Sequence, residues 1–89
     1  MKAVITVIGK DGVGIIARVS KMLAEYKINI IDITQTTYEE QFLMVMVVDM
    51  RDATVSFAQT SKELKKIGEQ MGQKIHMRHK KVFDSMHRI

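Results

Sequence analysis

The chain has 89 residues, a mass of 10.2 kDa and 46% apolar side chains, which suits one small domain and is too little for two. It contains no cysteine, so disulfides, thiolate metal sites and thiol nucleophiles are excluded, and we expect a cytoplasmic protein. The net charge of +4 comes from lysines interspersed with acids, which favours a solvated surface over a nucleic-acid interface. No apolar stretch is long enough for a signal-peptide core or a membrane span, so we expect no membrane association.

The first two elements are predicted to be a strand and an amphipathic helix. Ala3 to Ile8 is an apolar run with the composition of a strand, and it ends at Gly9. Apolar residues then recur one, three or four positions apart, at Ile15, Ile16, Val19, Met22, Leu23 and Tyr26. This spacing forms one helical stripe, with Arg18, Lys21 and Glu25 outside it.

The next two elements are predicted to be antiparallel strands. Ile28 to Tyr38 is rich in β-branched residues, Phe42 to Met50 is apolar, and Glu39-Glu40-Gln41 between them is short enough for a hairpin connection. Both alternating sets of residues in Phe42 to Met50 are apolar, so both faces of this strand require cover. Because helices can cover only one face, we expect a homo-oligomer. The alternative is that the C-terminal tail folds back over the sheet.

A second helix and a fourth strand complete the pattern. Asp52 to Thr54 are expected to cap the helix and Gly72 to end it, and apolar and polar residues alternate over Lys74 to Val82. The buried face of this helix is predicted to carry Phe57, Ser61, Leu64, Ile67 or Gly68, and Met71. The order βαββαβ predicts a ferredoxin-like α+β domain with a four-stranded antiparallel sheet, two helices on one face, and the second and fourth strands at the edges.

The C-terminal residues are expected to lie outside this domain. We assign residues 1–81 to a single domain and residues 82–89 to an amphipathic tail or short helix. In the tail, Val82, Phe83, Met86 and Ile89 recur at helical spacing.

Nucleotide-binding motifs are the first alternatives for the glycine-rich junction between the first strand and the first helix. Gly12 to Ala17 matches the pattern G-x-G-x-x-A, and Asp32 has the spacing of a ribose-binding acid. The strand that carries Asp32 turns back through a hairpin, however, which does not suit a doubly wound sheet. A phosphate-binding loop is excluded because Ile15 and Ile16 replace its lysine and hydroxyl residue.

Catalytic, RNA-binding and metal-binding readings receive little support. Acylphosphatases share this order of elements but carry an arginine at the position of Ile16, so such an enzyme is the weakest alternative. An RNA-recognition motif needs exposed aromatic residues on its central strands, where only Phe42 is available. His76 and His79 are three residues apart on a strand, so they face opposite sides and cannot share a metal ion. We therefore expect no enzyme, no cofactor and no metal.

The remaining interpretation of the glycine-rich junction is that its main-chain groups bind a ligand. A tight turn that opens a helix presents N–H groups and the positive end of the helix dipole, both of which favour a carboxylate. The donors would be Gly12, Val13, Gly14 and Ile15. Asp11 either caps the helix or contacts a ligand amine, and Asn29 contributes an amide beside the same turn. Together these groups would suit a free amino acid.

The segment from Val4 to Asp32 resembles the opening of an ACT domain, a small regulatory module that binds amino acids. The likeness rests on Asp11, Gly14, the pair Ile15-Ile16 and the pair Asn29-Ile30, and the order of elements extends it over residues 3–81. A looser likeness is to the ACT halves of the glycine cleavage transcriptional repressor.

The resemblance implies a non-enzymatic regulatory domain, dimeric or larger, which passes a signal to a protein partner. Its ligand would be a small amino acid or related metabolite, bound by Asp11 to Ile15 and by Asn29 and Ile30, at a subunit interface. The alternative is a structural interaction module without a ligand, in which the glycine turn serves only to cap the helix.

Overall fold

The computed structural model describes residues 1–10 and 13–86, with the backbone alone for Val13. These residues form, in order, β1 (Lys2–Gly9), α1 (Val13–Glu25), β2 (Asn29–Tyr38), β3 (Gln41–Asp49), α2 (Phe57–Met71), β4 (Lys74–His79) and α3 (Lys80–Met86). The strands make one antiparallel sheet in the order β2-β3-β1-β4. The predicted ferredoxin-like fold is confirmed, with β2 and β4 at the edges and a helix after the last strand.

The helices α1 and α2 cover one face of the sheet and form the core with it. Ile5 on the central strand β1 is fully buried between its neighbours Met46 on β3 and Met77 on β4. The helices add Ile15, Val19, Met22, Leu23, Leu64 and Ile67 to the same cluster. Burial of an aliphatic side chain of this size stabilises the fold by about 1.5–3 kcal/mol, so this layer is the main source of stability.

The opposite face of the sheet, called the open face below, is not covered by α1 or α2. It carries Asp32, Thr34, Thr36 and Tyr38 on β2, Gln41, Leu43, Val45, Val47 and Asp49 on β3, Lys2, Val4, Thr6 and Ile8 on β1, and Lys74, His76 and Arg78 on β4. On β3 the helix-side set is buried, whereas Leu43, Val45 and Val47 are not. The expectation that this strand is apolar on both faces and that these helices cover only one is confirmed.

The start of α2 differs from the prediction. The helix begins at Phe57, and its N-cap is Ser56, whose hydroxyl accepts a hydrogen bond from the N–H of Gln59 at 3.1 Å. The predicted cap, Asp52 to Thr54, is therefore wrong. Those residues belong to the connection from β3, which is tied to the end of α1 because the Thr54 N–H donates to the Tyr26 carbonyl oxygen at 2.9 Å.

The end of β4 also differs from the prediction. Buried Ile75 and Met77 alternate with exposed Lys74 and His76 and half-buried Arg78, as predicted, but the strand ends at His79 and not at Val82. From Lys80 the chain is helical, and Lys80 Nζ lies 2.6 Å from Asp84 Oδ2, an i,i+4 pair that supports a helix. The helical spacing of the tail thus begins within the segment that was predicted as strand.

The two long helices end in the same hydrogen-bonding pattern but with different residues in the left-handed conformation. After α1, the Ile28 N–H donates to the Leu23 carbonyl and Lys27 has φ of 58°. After α2, the Gln73 N–H donates to the Gly68 carbonyl and Gly72 has φ of 69°. Glycine adopts this conformation without a steric cost, whereas lysine does not.

The hairpin turn also uses the left-handed region. Glu39 and Glu40 have φ of 48° and 68°, and Tyr38 pairs with Gln41 across them. Positive φ at both central residues is the geometry of a type I′ turn, whose twist matches that of the strands. The predicted position of the hairpin is confirmed.

One substitution at each helix end tests the cost of the left-handed conformation. Lys27→Gly should raise the free energy of unfolding by about 1 kcal/mol, and Gly72→Ala should lower it by about the same amount. No heavy atom of the described residues lies within 4 Å of a Cβ added at Gly72, so that cost is purely conformational. Urea unfolding followed by circular dichroism measures both changes. Unchanged midpoints in both variants would contradict the assignment.

Candidate functional site

The glycine-rich junction connects β1 to α1. β1 ends at Gly9 and α1 begins at Val13, so Lys10, Asp11 and Gly12 stand between them in the sequence. Asp11 and Gly12 lie outside the described residues, as does the side chain of Val13. The roles predicted for these three residues therefore stay predictions.

Two glycines of the junction lie close to neighbouring side chains. A Cβ at Gly9 would overlap the side chain of Gln73, and a Cβ at Gly14 would lie 3.1 Å from Cε of Met71. Of the glycines that the structure describes, Gly72 alone has positive φ. Gly9 and Gly14 thus allow the end of α2 and the connection that follows it to approach the junction closely.

The start of α1 has the character of an anion-binding terminus. The first N–H groups of a helix have no partner within it, and the first turn of α1 carries no acidic side chain. Gly14 is exposed, whereas the side chain of Ile15 is buried in the core. Any contact of Ile15 with a ligand would accordingly use its main-chain N–H.

Asn29 lies at the opposite end of the sheet from the glycine junction. It pairs with Asp49, which pairs with Lys2 at the start of β1, whereas Gly9 at the end of β1 pairs with Phe42. At about 3.3 Å per residue, the two ends of β1 are about 23 Å apart. The expectation that Asn29 lies beside the turn of its own chain is therefore wrong, because β1 and β2 are both antiparallel to β3 and run in the same direction.

The predicted pair Asn29 and Ile30 is thus separated from the residues predicted at the glycine junction. Ile30, next to Asn29, is half-buried and packs against the core cluster. Gly14 and Ile15 are brought together at one end of the sheet, and Asn29 and Ile30 at the other.

A polar cavity surrounds Asn29. It has a volume of about 360 Å³ and is lined by Lys27, Asn29, Asp49, Arg51 and Asp52. The Arg51 N–H donates to Asp49 Oδ1 at 2.9 Å, and the Arg51 guanidinium lies 3.7 Å from Asp49 Oδ2. The backbone hydrogen bond is the main reason why the pKa of Asp49 is below its ordinary value, and partial desolvation opposes it. The cavity therefore offers fixed charges of both signs beside the amide.

Lys27 and Arg51 are polar groups at this end of the sheet that the sequence analysis did not single out. Lys27 precedes β2 and Arg51 follows β3. The antiparallel pairing of two hairpin-connected strands places those positions side by side. The predicted hairpin was therefore the feature of the sequence that could have indicated that Lys27 and Arg51 lie close together.

The edge strand β2 is exposed along nearly its whole length. Every residue from Ile31 to Tyr38 is exposed, and among the described strands β2 is hydrogen-bonded to β3 alone. Ile31 and Ile33 are large apolar residues within this stretch. A long edge strand of this kind is a template for pairing with another chain.

The two histidines of β4 face opposite sides of the sheet, as their spacing predicts. Both are exposed: His79 stacks on Phe57 with ring centroids 4.3 Å apart and planes inclined by 7°, and His76 lies on the open face. In the described part of the chain, no three His, Cys, Asp or Glu side chains are grouped to hold a metal ion. Within the same residues, no helix has the length and apolar character needed to span a membrane.

Comparison with known proteins identifies the family. A model of the ACT domain matches residues 2–78. A UPF0237 protein from Clostridium acetobutylicum is 51% identical over 89 residues, which is 100% of both chains. The solved structure of an ACT domain protein from Streptococcus pneumoniae has a TM-score of 0.80 and 40% identity, covering 94% of each chain. The regulatory subunit of aspartate kinase from Thermus flavus has a TM-score of 0.63 and 28% identity, covering 88% of this chain and 51% of that one. With this fold and with the match over most of its length, the chain belongs to the ACT-domain family.

Proposed function

We propose that this protein is a non-enzymatic regulatory domain that binds a small amino acid or related metabolite where β1 turns into α1. ACT domains are generally regulatory ligand-binding domains, and this chain matches the family over residues 2–78. The observation that carries the proposal is the start of α1, which follows the end of β1 after only three residues and has no acidic side chain in its first turn. Such a terminus attracts a carboxylate.

The contacts proposed for the ligand follow from the charges at the turn. The α-carboxylate accepts hydrogen bonds from the main-chain N–H groups of Gly12 to Ile15, and Asp11 contacts the α-amine. A carboxylate beside the turn repels a dianion such as phosphate but attracts the ammonium group of a zwitterion. An amino acid therefore suits these groups better than a phosphate ester does.

The participation of Asn29 and Ile30 requires a second copy of the chain. Within one chain they lie at the opposite end of the sheet from Gly9. The two ends are about 23 Å apart along the strands, which rise about 3.3 Å per residue. If β2 pairs with β2 of a second copy in an antiparallel manner, the start of one β2 lies beside Tyr38 at the end of the other. That end of the sheet is also the end at which Gly9 lies. Two equivalent sites would then form across the dimer.

This arrangement couples binding to assembly. A ligand that contacts both subunits stabilises the packing in which its two halves meet, so it shifts the population toward that packing. A regulated protein partner would sense the change at the surface of the dimer.

A structural interaction module without a ligand is the second candidate. It is favoured by the packing of Gly9 against Gln73 and of Gly14 against Met71, which accounts for these glycines without a ligand. An acylphosphatase-like enzyme gains no such support, because Ile16, at the position of the arginine in that family, packs against the core.

A panel of free amino acids in a thermal-shift assay tests the ligand. Ligand present at 100 times its Kd should stabilise the protein by about 2.7 kcal/mol and raise the melting temperature by several degrees. Gly14→Val should abolish the shift but retain the fold, because the one described atom within 4 Å of an added Cβ is the flexible end of Met71.

Ala17→Val is the matched control for Gly14→Val. Ala17 is an exposed residue of α1 that lies beyond the first turn, so this variant should keep the full shift. If no amino acid at millimolar concentration shifts the wild type, the interaction module replaces the proposed function.

A charged residue on β2 tests whether two copies associate through this strand. Ile33→Lys should weaken association at least tenfold, because it places an ammonium group at the centre of the proposed strand pairing. Sedimentation equilibrium measures the mass, and the thermal shift should be lost together with the association. Ala58→Lys adds the same charge to an exposed position of α2 and should change neither. An Ile33→Lys protein with unchanged mass would contradict pairing through β2.

A further inference from the structure

The two edges of the sheet differ in charge. The edge strand β2 carries one charged residue, Asp32, whereas the edge strand β4 carries Lys74 and Arg78. Residues 62–81, which include most of α2 and all of β4, contain seven lysine and arginine residues against two acids, and the rest of the chain contains seven against eight. The positive net charge of the protein therefore comes from the side of the fold on which α2 packs against β4.

A groove runs along the outer edge of β4, beside α2. It has a volume of about 530 Å³ and is lined by residues 73–78 and, on α2, by Ser61, Lys65 and Glu69. The three residues of α2 are four positions apart, so they share one side of the helix. Because residues of both faces of β4 line the groove, it lies at the edge of the sheet and not on either face.

The cations of the groove lack counter-charges in the described part of the chain. Lys65, Lys74 and Arg78 line the groove together with one acid, Glu69. Lys65 and Lys74 are exposed and Arg78 is half-buried. Among the described residues, no carboxylate lies within ion-pair distance of any of the three cations.

The main chain of β4 has unused pairing groups at the same edge. Among the described strands, β4 is hydrogen-bonded to β1 alone. In an antiparallel pair every second residue directs its N–H and C=O away from the partner strand, so half of the six residues of β4 direct these groups toward the outer edge. Such a row of groups is a template for one more strand.

Charge decides which strand this edge accepts. Lysine and arginine on an edge strand discourage pairing with an arbitrary chain, because like charges on neighbouring strands repel and opposite charges attract. A second copy of β4 would bring Lys74 and Arg78 close to the same two residues and is therefore a poor partner. An extended segment with acidic side chains supplies both the missing main-chain partners and the missing negative charge.

We propose that the outer edge of β4 binds an extended acidic segment of a partner protein as an additional strand of the sheet. Acidic side chains on the open-face side of that segment lie beside Lys74 and Arg78, and those on the helix side face Lys65. The proposal does not depend on amino-acid binding. It also leaves β2 available for pairing with a second copy, because β2 and β4 are opposite edges of the sheet.

A nucleic acid is the other extended polyanion that basic side chains attract. Its phosphates would use the three cations but leave the N–H and C=O groups of β4 unpaired. The residues that line the groove include no phenylalanine, tyrosine or tryptophan on which a base would stack. The groove therefore favours a peptide, and single-stranded DNA is the control probe.

Fluorescence anisotropy at low ionic strength measures binding of a labelled glutamate peptide, eight residues in which glutamate alternates with threonine. The glutamates attract the cations, and the β-branched threonines favour an extended conformation. This peptide should bind at least tenfold more tightly than oligothymidine of the same length and than a lysine peptide, in which lysine replaces glutamate. Absence of binding at millimolar peptide, or tighter binding of the oligothymidine, would overturn the proposal.

N-methylation of the glutamate peptide separates strand pairing from attraction between charges alone. Methyl groups on the glutamate nitrogens remove one alternate set of N–H donors, and methyl groups on the threonine nitrogens remove the other. An added strand directs only one of these sets toward β4. One methylated peptide should therefore bind at least tenfold more weakly than the other, and equal affinities would contradict pairing along β4.

Charge reversal identifies the cations that the peptide contacts. Arg78→Glu should weaken binding of the glutamate peptide at least fivefold and strengthen binding of the lysine peptide, because it reverses the charge beside the added strand. Lys21→Glu makes the same change of charge at an exposed position of α1 and should alter neither affinity by more than twofold. Circular dichroism checks that both variants stay folded. Equal effects of the two substitutions would refute binding at this edge, whatever the outcome of the amino-acid panel.

Discussion

Two helices can cover only one face of a four-stranded sheet, and this limit determines which surfaces of the protein are available for function. Here α1 and α2 bury Ile5 and its neighbours on the central strands. They leave the open face uncovered and leave β2 exposed from Ile31 to Tyr38. Because the core is on one side, the surfaces that remain apolar are those through which a small domain of this kind would meet another chain.

The glycine junction serves the fold, and the ligand proposed for it would use other atoms. Gly9 accommodates the side chain of Gln73, and Gly14 lies close to Met71, so the end of α2 and the connection after it pack against these two glycines. This packing uses the missing Cβ atoms, whereas a bound carboxylate would use main-chain N–H groups. The two roles draw on different atoms, and the close packing gives the start of α1 a defined position.

The distance between Asn29 and the turn gives the proposed regulation its physical basis. A ligand that needs both ends of the sheet can find them together only where two chains meet, so binding and assembly become one equilibrium. The polar cavity beside Asn29, with Arg51 held by Asp49, adds charges of both signs to that end of the sheet.

The sequence by itself determined the order of the elements, the hairpin at Glu39-Glu40 and the two-sided apolar character of β3, because each of these follows from local periodicity or turn length. It was less reliable at element boundaries. Ser56 and not Asp52 to Thr54 caps α2, and α3 begins within the predicted last strand. The positions of these two helix starts depend on contacts with other elements, such as the hydrogen bond of Thr54 to Tyr26.

Only the tertiary structure decided which distant residues meet. The separation of Asn29 from Gly14 follows from the parallel course of β1 and β2, which are not hydrogen-bonded to each other but are both paired with β3. The contact of Gln73 with Gly9 joins positions far apart in the chain. Periodicity specifies which face a residue occupies, but pairing across a third strand sets its position along the sheet, and no local pattern encodes that position.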